Sequence, residues 1–165
     1  MSEVFDLTKL YSLQKELDED IASRHGVTYE STFHKRLLAL LVELGEFANE
    51  TRDFKYWSLK GPSPKDVILE EYIDGLHFLL SLGIPLGVRT YAHKVEARFD
   101  SLTEALLSFY KGALNLKDDY RLDPYLSLVD EYLDMLPLFG ASVKEAIDSY
   151  IEKCGKNHKR QEDHY

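Results

Sequence analysis

An all-α helical bundle is the fold this sequence predicts, on three observations. Apolar residues recur at spacings of three and four nearly throughout, no stretch sustains period-two alternation, and helix start and stop signals flank the periodic segments. The chain has 165 residues, 44% of them hydrophobic, which suffices for one domain with a real core, taken here as residues 1–165. No internal repeat, low-complexity segment or long linker divides it.

The first helix is expected from about Leu7 to Arg24, with Leu10, Leu13, Leu17 and Ile21 on one face and a stop near Gly26. A second runs from about Ser31 to Asp53 and turns Phe33, Leu37, Leu40, Leu41, Leu44 and Phe47 towards a core. The segment FKYWSLKGPSP reads as a loop. It ends in a helix start, with Ser63 as N-cap, Pro64 at the first helical position and Asp66 completing a box-like cap. The third helix, about Pro64 to Leu82, is apolar on most of its circumference and stops at Gly83 before Ile84-Pro85. Further helices are expected over Thr90 to Leu116, Pro124 to Phe139 and Ser142 to Cys154, and no strand is expected.

Composition narrows the partners. A net charge of −9 disfavours nucleic acid, whose affinity comes from neutralising phosphates with Lys and Arg, but allows a small phosphorylated ligand bridged by a divalent cation. Apolar runs such as LLALLV fall well short of the roughly 20 residues needed to span a bilayer, and the N-terminal residues mix acids with apolar groups unlike a signal peptide. The expectation is a cytoplasmic protein without membrane attachment. The single cysteine, Cys154, agrees with a reducing compartment.

The informative segment is LLALLVELGEFANE, residues 37–50, where almost every position up to Ala48 is apolar and the helix should be buried on nearly all sides. Glu43, Glu46 and Glu50 nevertheless fall there, three and four apart on one face. ILEEYIDGLHFLLSL repeats the pattern with Glu71 and Asp74. Taken singly, such acids are usually solvent-facing. As a set they have no basic residue three or four positions away within the apolar stretch, so gathered between two buried helices they would raise one another's pKa or require cations. Oxygen-only ligands suit a hard ion, Mg²⁺ or Mn²⁺, and argue against zinc. A helical hairpin would set Glu43 and Glu46 opposite Glu71 and Asp74. A di-iron carboxylate protein would instead place Glu-x-x-His pairs on the bundle, and His77, three residues after Asp74, reads as a packing histidine.

ELGE and EYID, separated by 24 residues, resemble the metal-binding signature of the all-α NTP pyrophosphatase superfamily. The surrounding LLALLVELGEFANETRDFKYWS and ILEEYIDGLHFLLSLG are similar to the dimeric dUTPase branch of Gram-positive bacteria and their phages. LQKELDEDI near the start and SYIEKCGKNHKRQEDHY at the end agree, while residues 86–140 match weakly.

The resemblance implies Mg²⁺-dependent hydrolysis of dUTP, and of dUDP too, by attack on the β-phosphorus, giving dUMP and, from dUTP, pyrophosphate. It makes Glu43, Glu46, Glu71 and Asp74 the metal ligands, with Glu46 also deprotonating the attacking water. Gln14 corresponds to a base-recognising glutamine. Lys55 and Trp57 fall among the substrate contacts, as do Lys153, Asn157, Arg160 and Tyr165 of a C-terminal motif that closes on the nucleotide. Residues 155–165 would form a mobile lid, although His164 stands where the pattern has Gly. Asp18 stands where some branches have Asn and is not assigned as a ligand. A homodimer is implied. Two neighbouring readings are a pyrophosphohydrolase relaxed towards other noncanonical nucleotides and a phage-type enzyme whose residues 86–130 serve a repressor partner.

Overall fold

The computed structural model describes residues 2–164. Among them are six α-helices, namely α1 (Thr8–His25), α2 (Tyr29–Thr51), α3 (Lys65–Gly83), α4 (Leu102–Asn115), α5 (Leu122–Leu133) and α6 (Val143–Glu162). Two three-residue strands, β1 (Val4–Asp6) and β2 (Ala92–Lys94), pair antiparallel with Phe5 opposite His93. The all-α reading holds, with this small ribbon as an addition. Within the described residues, no helix is long and apolar enough to cross a membrane.

The helical hairpin of α2 and α3 is the centre of the fold. Thr28 and Ser31 form a reciprocal capping box that starts α2 at Tyr29, and Arg52, in the left-handed region at φ 58°, ends it. The two helices run antiparallel and are tied at both ends. Near the loop, Glu50 O accepts from Ser63 N at 3.0 Å and the Glu50 carboxylate accepts from Ser63 Oγ. At the far end, Arg36 donates to Ser81 O at 3.0 Å. Leu37, Leu40, Leu44 and Phe47 of α2 are buried in the core together with most of α3 from Ile68 to Gly83. Around this hairpin, α1 and α6 lie side by side, and α4 and α5 cover the remaining flank.

Four expectations are corrected. Ser63 does not cap α3, because its hydroxyl is engaged by Glu50; Pro64 occupies the N-cap position with no side-chain bond, so the box with Asp66 does not form. The helix expected from Thr90 begins only at Leu102, because residues 91–98 are drawn out as an extended segment. The buried carboxylate of Asp134 accepts from His93 Nε2, Glu96 N and Arg98 Nε, each at 2.8 Å, while Leu7 N donates to Tyr91 O at 2.8 Å. The helix expected to reach Phe139 ends at Leu133, and Leu136–Phe139 form a 3₁₀ turn stopped by Gly140 at φ 74°. Finally, α2 is not buried all round within one chain, since Leu38 and Val42 are 62% and 51% exposed.

Candidate active site

The hairpin brings the predicted acids together. Carboxylate oxygens of Glu43, Glu46 and Glu71 all lie within 4.8 Å of one another. Asp74 stands one helical turn beyond Glu71 and lines a cavity together with Glu43. Burial first, then the charges of Asp74 and Glu46, push the Glu43 carboxyl up to about 7. Burial and the charge of Asp74 likewise push Glu71 up to about 7, and burial raises Asp74. Oε2 of Glu43 and Oε2 of Glu71 are fully buried and accept no hydrogen bond. Two orphaned anionic oxygens at the centre of a three-carboxylate cluster fit a hard divalent cation, which would satisfy what the protein leaves unpaired. Glu50, in the same sequence stripe, is outside this cluster and holds Ser63.

No cation near these acids is visible in either motif, but one arrives from α6. Lys153, 8% exposed, places Nζ 3.0 Å from Glu70 and 3.1 Å from Asp74. Its ammonium lies at the fourth carboxylate and not among the other three.

Beside the cluster opens a cavity of about 490 Å³ between α1, α2, α3 and α6. Its wall includes Gln14, Asp18, Tyr29, Arg36, His77 and Ser81, with Asn157 and Arg160 of α6. Gln14 is 4% exposed. Its Nε2 donates to Asp18 Oδ1 at 2.8 Å, and its Oε1 accepts from Tyr150 Oη at 2.5 Å. Asp18 Oδ2 accepts from Ser81 Oγ at 2.8 Å, and burial raises the Asp18 carboxyl despite these bonds. His77 stacks on Tyr150 with ring centres 3.9 Å apart.

The predicted residues thus divide by position. Glu43, Asp74, Gln14, Asn157 and Arg160 line the cavity, Glu46 and Glu71 complete the adjoining cluster, and Lys153 bonds its edge. Lys55 and Trp57 lie on the α2–α3 loop, off the cavity wall. Lys55 Nζ sits 5.8 Å from the Phe54 ring, and Trp57 is 64% exposed against Tyr56 and Phe54. Tyr165 lies outside the described residues. Helix α6 was expected to stop at Cys154 and instead continues to Glu162, carrying Asn157 and Arg160 on regular helix. Ser81 was not singled out in the sequence, although it lies seven residues after Asp74 on the same face, while His77, three residues after Asp74, takes the expected packing position against Tyr150. Tyr29, Arg36 and Tyr150 reach the site only through the tertiary fold.

An all-α hairpin presenting clustered, unpaired carboxylates beside a polar cavity defines a hydrolase scaffold suited to a cation-bridged anionic substrate. A dUTPase family model matches residues 6–165, essentially the whole chain. The chain belongs to that dUTPase family and is a nucleoside triphosphate pyrophosphohydrolase, a dUTP diphosphatase. The stretch 86–130 lies within the matched range. No curated protein matches the chain significantly.

Proposed function

We propose that this enzyme hydrolyses dUTP, and dUDP, to dUMP in a Mg²⁺-dependent reaction at the carboxylate cluster. The observation that carries this reading is the pair of orphaned buried oxygens, Glu43 Oε2 and Glu71 Oε2, next to the cavity. Glu43, Glu46, Glu71 and Asp74 would hold the cation, with Mn²⁺ as a substitute. Bound there, it supplies charge neutralisation to phosphate oxygens and acidifies water.

The protein's own groups do the rest. Glu46, the most exposed of the three clustered acids, takes the proton of the attacking water on its carboxylate. Lys153 holds a positive charge at the cluster's edge, and Arg160 and Asn157 offer further donors to the phosphates from α6. From α6 these groups cover the nucleotide on one side of the cavity, while Gln14 at the inner wall orients the base. Lys55, Trp57 and Tyr165 complete the substrate contacts from the loop and the C-terminus.

A homodimer is part of the proposal. Leu38 and Val42 on α2, and Leu107 and Leu114 on the adjacent α4, are all more than half exposed, an apolar surface that a second copy would cover. Light scattering should give twice the 19.1 kDa chain mass.

The decisive experiment is a substrate panel with Mg²⁺. Turnover of dUTP well above dCTP, dTTP and dATP supports the proposal, and loss of all turnover in EDTA supports the cation. Comparable rates across the panel would overturn the uracil assignment, and full activity in EDTA would overturn the metal role.

A further inference from the structure

Glu70 is next to a member of the carboxylate cluster in sequence and stands apart from that cluster in space. Successive helical positions lie about 100° apart. Glu71 therefore turns towards Glu43 and Glu46, while Glu70, one turn before Asp74, lies on the side of α3 that meets α6. Lys153 of α6 bridges Glu70 and Asp74, with Nζ 3.0 Å from the first and 3.1 Å from the second. The two carboxylates differ in setting. The Asp74 side chain is 21% exposed and lines the cavity, whereas the Glu70 side chain is 56% exposed and lies off its wall. Lys156 and Arg160, at helical spacing after Lys153, add positive charge around Glu70.

This geometry contains a conflict. Asp74 cannot serve an ammonium and a divalent cation equally, because two positive charges that share one carboxylate repel each other. Lys153 is also buried, and an ammonium released from Asp74 with no other partner would carry the cost of an unpaired buried charge. Glu70 removes that cost. Nζ already touches both carboxylates, so it can let go of Asp74 and keep an anionic partner.

Building on the assignment of a cation to the four acids, we infer that Glu70 is a positioning residue that retains Lys153 when Asp74 is given up to the cation. The ammonium then stays at the edge of the cluster, where phosphate oxygens of the substrate can meet it, and ceases to compete for a metal ligand. If Glu70 lost its charge, Asp74 alone of this pair would remain to hold Lys153, and the ammonium would oppose entry of the cation.

The test titrates metal-free, full-length protein with Mn²⁺ alone, followed by calorimetry and electron paramagnetic resonance, so that no turnover is needed. With Lys153 present, Glu70→Gln should raise the Mn²⁺ Kd by about 3- to 10-fold, within the range of coupling inside one charged network. In a Lys153→Met background the same substitution should cost less than about twofold, as expected of a charge acting only through screened solvent. An equal loss in the two backgrounds would overturn the inference. Independently of how either variant folds, a crystal structure of the Mg²⁺-loaded wild-type protein should show Lys153 Nζ on Glu70 and off Asp74. An ammonium still bonded to Asp74, or withdrawn from both carboxylates, counts equally against it. A wild-type protein that binds no Mn²⁺ removes the cation reading beneath, whereas one that binds Mn²⁺ without coupling between Glu70 and Lys153 removes this inference alone.

Discussion

Replacing Glu43 by Gln should stabilise the metal-free protein at pH 8 and leave it nearly unchanged at pH 4. The Glu43 carboxyl is raised from its ordinary 4.5 to about 7, by burial and then by the charges of Asp74 and Glu46. A folded-state value above the unfolded one means that the folded chain binds the proton more tightly. The associated stability is fully present below about pH 4.5 and is lost as pH rises through about 7. Without screening, that difference amounts to about 3 kcal/mol. Glu43 is only partly buried, and solvent screening reduces the figure to about 1 kcal/mol. In a chain of 165 residues, this shifts the melting temperature by about 2–4 °C. Calorimetry in EDTA measures it directly. The variant should melt higher than wild type by that amount at pH 8 and converge with it at pH 4, below the unfolded-chain value, where the Glu43 carboxyl is largely neutral in both states. Adding Mg²⁺ at pH 8 should reverse the order, because wild type gains more from ligand linkage. A metal-free variant that melts lower than wild type at pH 8, or a difference independent of pH, refutes the reasoning.

Other perturbations probe the site separately. Glu46→Gln should lower dUTP turnover by at least about 100-fold, the lower range for losing a general base, with circular dichroism unchanged. Deleting residues 156–165 removes Asn157 and Arg160 from the cavity wall and should cost turnover about 100-fold through lost substrate positioning; in the full-length chain a non-hydrolysable dUTP analogue should protect this segment from proteolysis. Gly75→Ala would drive its β-carbon into the Tyr132 hydroxyl and to 3.2 Å from Leu44 Cδ1, so urea unfolding should report a loss of about 1–3 kcal/mol typical of an overpacked core.

The α2–α3 hairpin was legible because its signal is local. Leu37, Leu40, Leu44 and Phe47 recur at helical spacing, and the acids among them stand out against that background. The ribbon was not legible. Strands of three residues carry no readable alternation, and residues 91–98 are held extended by Asp134, a partner on another element. The length of α6 was missed because apolar periodicity fades after Cys154. Its last two turns stay helical on other grounds, since Lys, Arg, Gln and Glu are good helix formers. Contacts to α1 also hold them, His158 Nδ1 to Asp20 at 3.2 Å and His25 Nε2 to Gln161 at 2.9 Å. Lys153 shows the same limit. Its basic charge lies far along the chain from EYID, and only the packing of α6 on α3 puts it at Asp74.

Clustered carboxylates repel, and a loose hairpin would relieve the repulsion by letting its helices part. Here the helices cannot part cheaply. Arg36 at one end and Glu50 at the other tie α2 to α3, outside the acids on both sides. Behind α3, Tyr72 Oη donates to Tyr132 O at 2.9 Å while Tyr132 Oη donates to Tyr72 O at 2.6 Å, locking α3 to α5. Tyr125 Oη adds a bond to Leu79 O at 2.7 Å. With sideways relaxation blocked, the strain at Glu43 and Glu71 has two remaining outlets, a shared proton or a cation. A rigid frame around unfavourably placed acids would therefore turn electrostatic repulsion into affinity for a positive ion, and the same bonds would preorganise the proposed site.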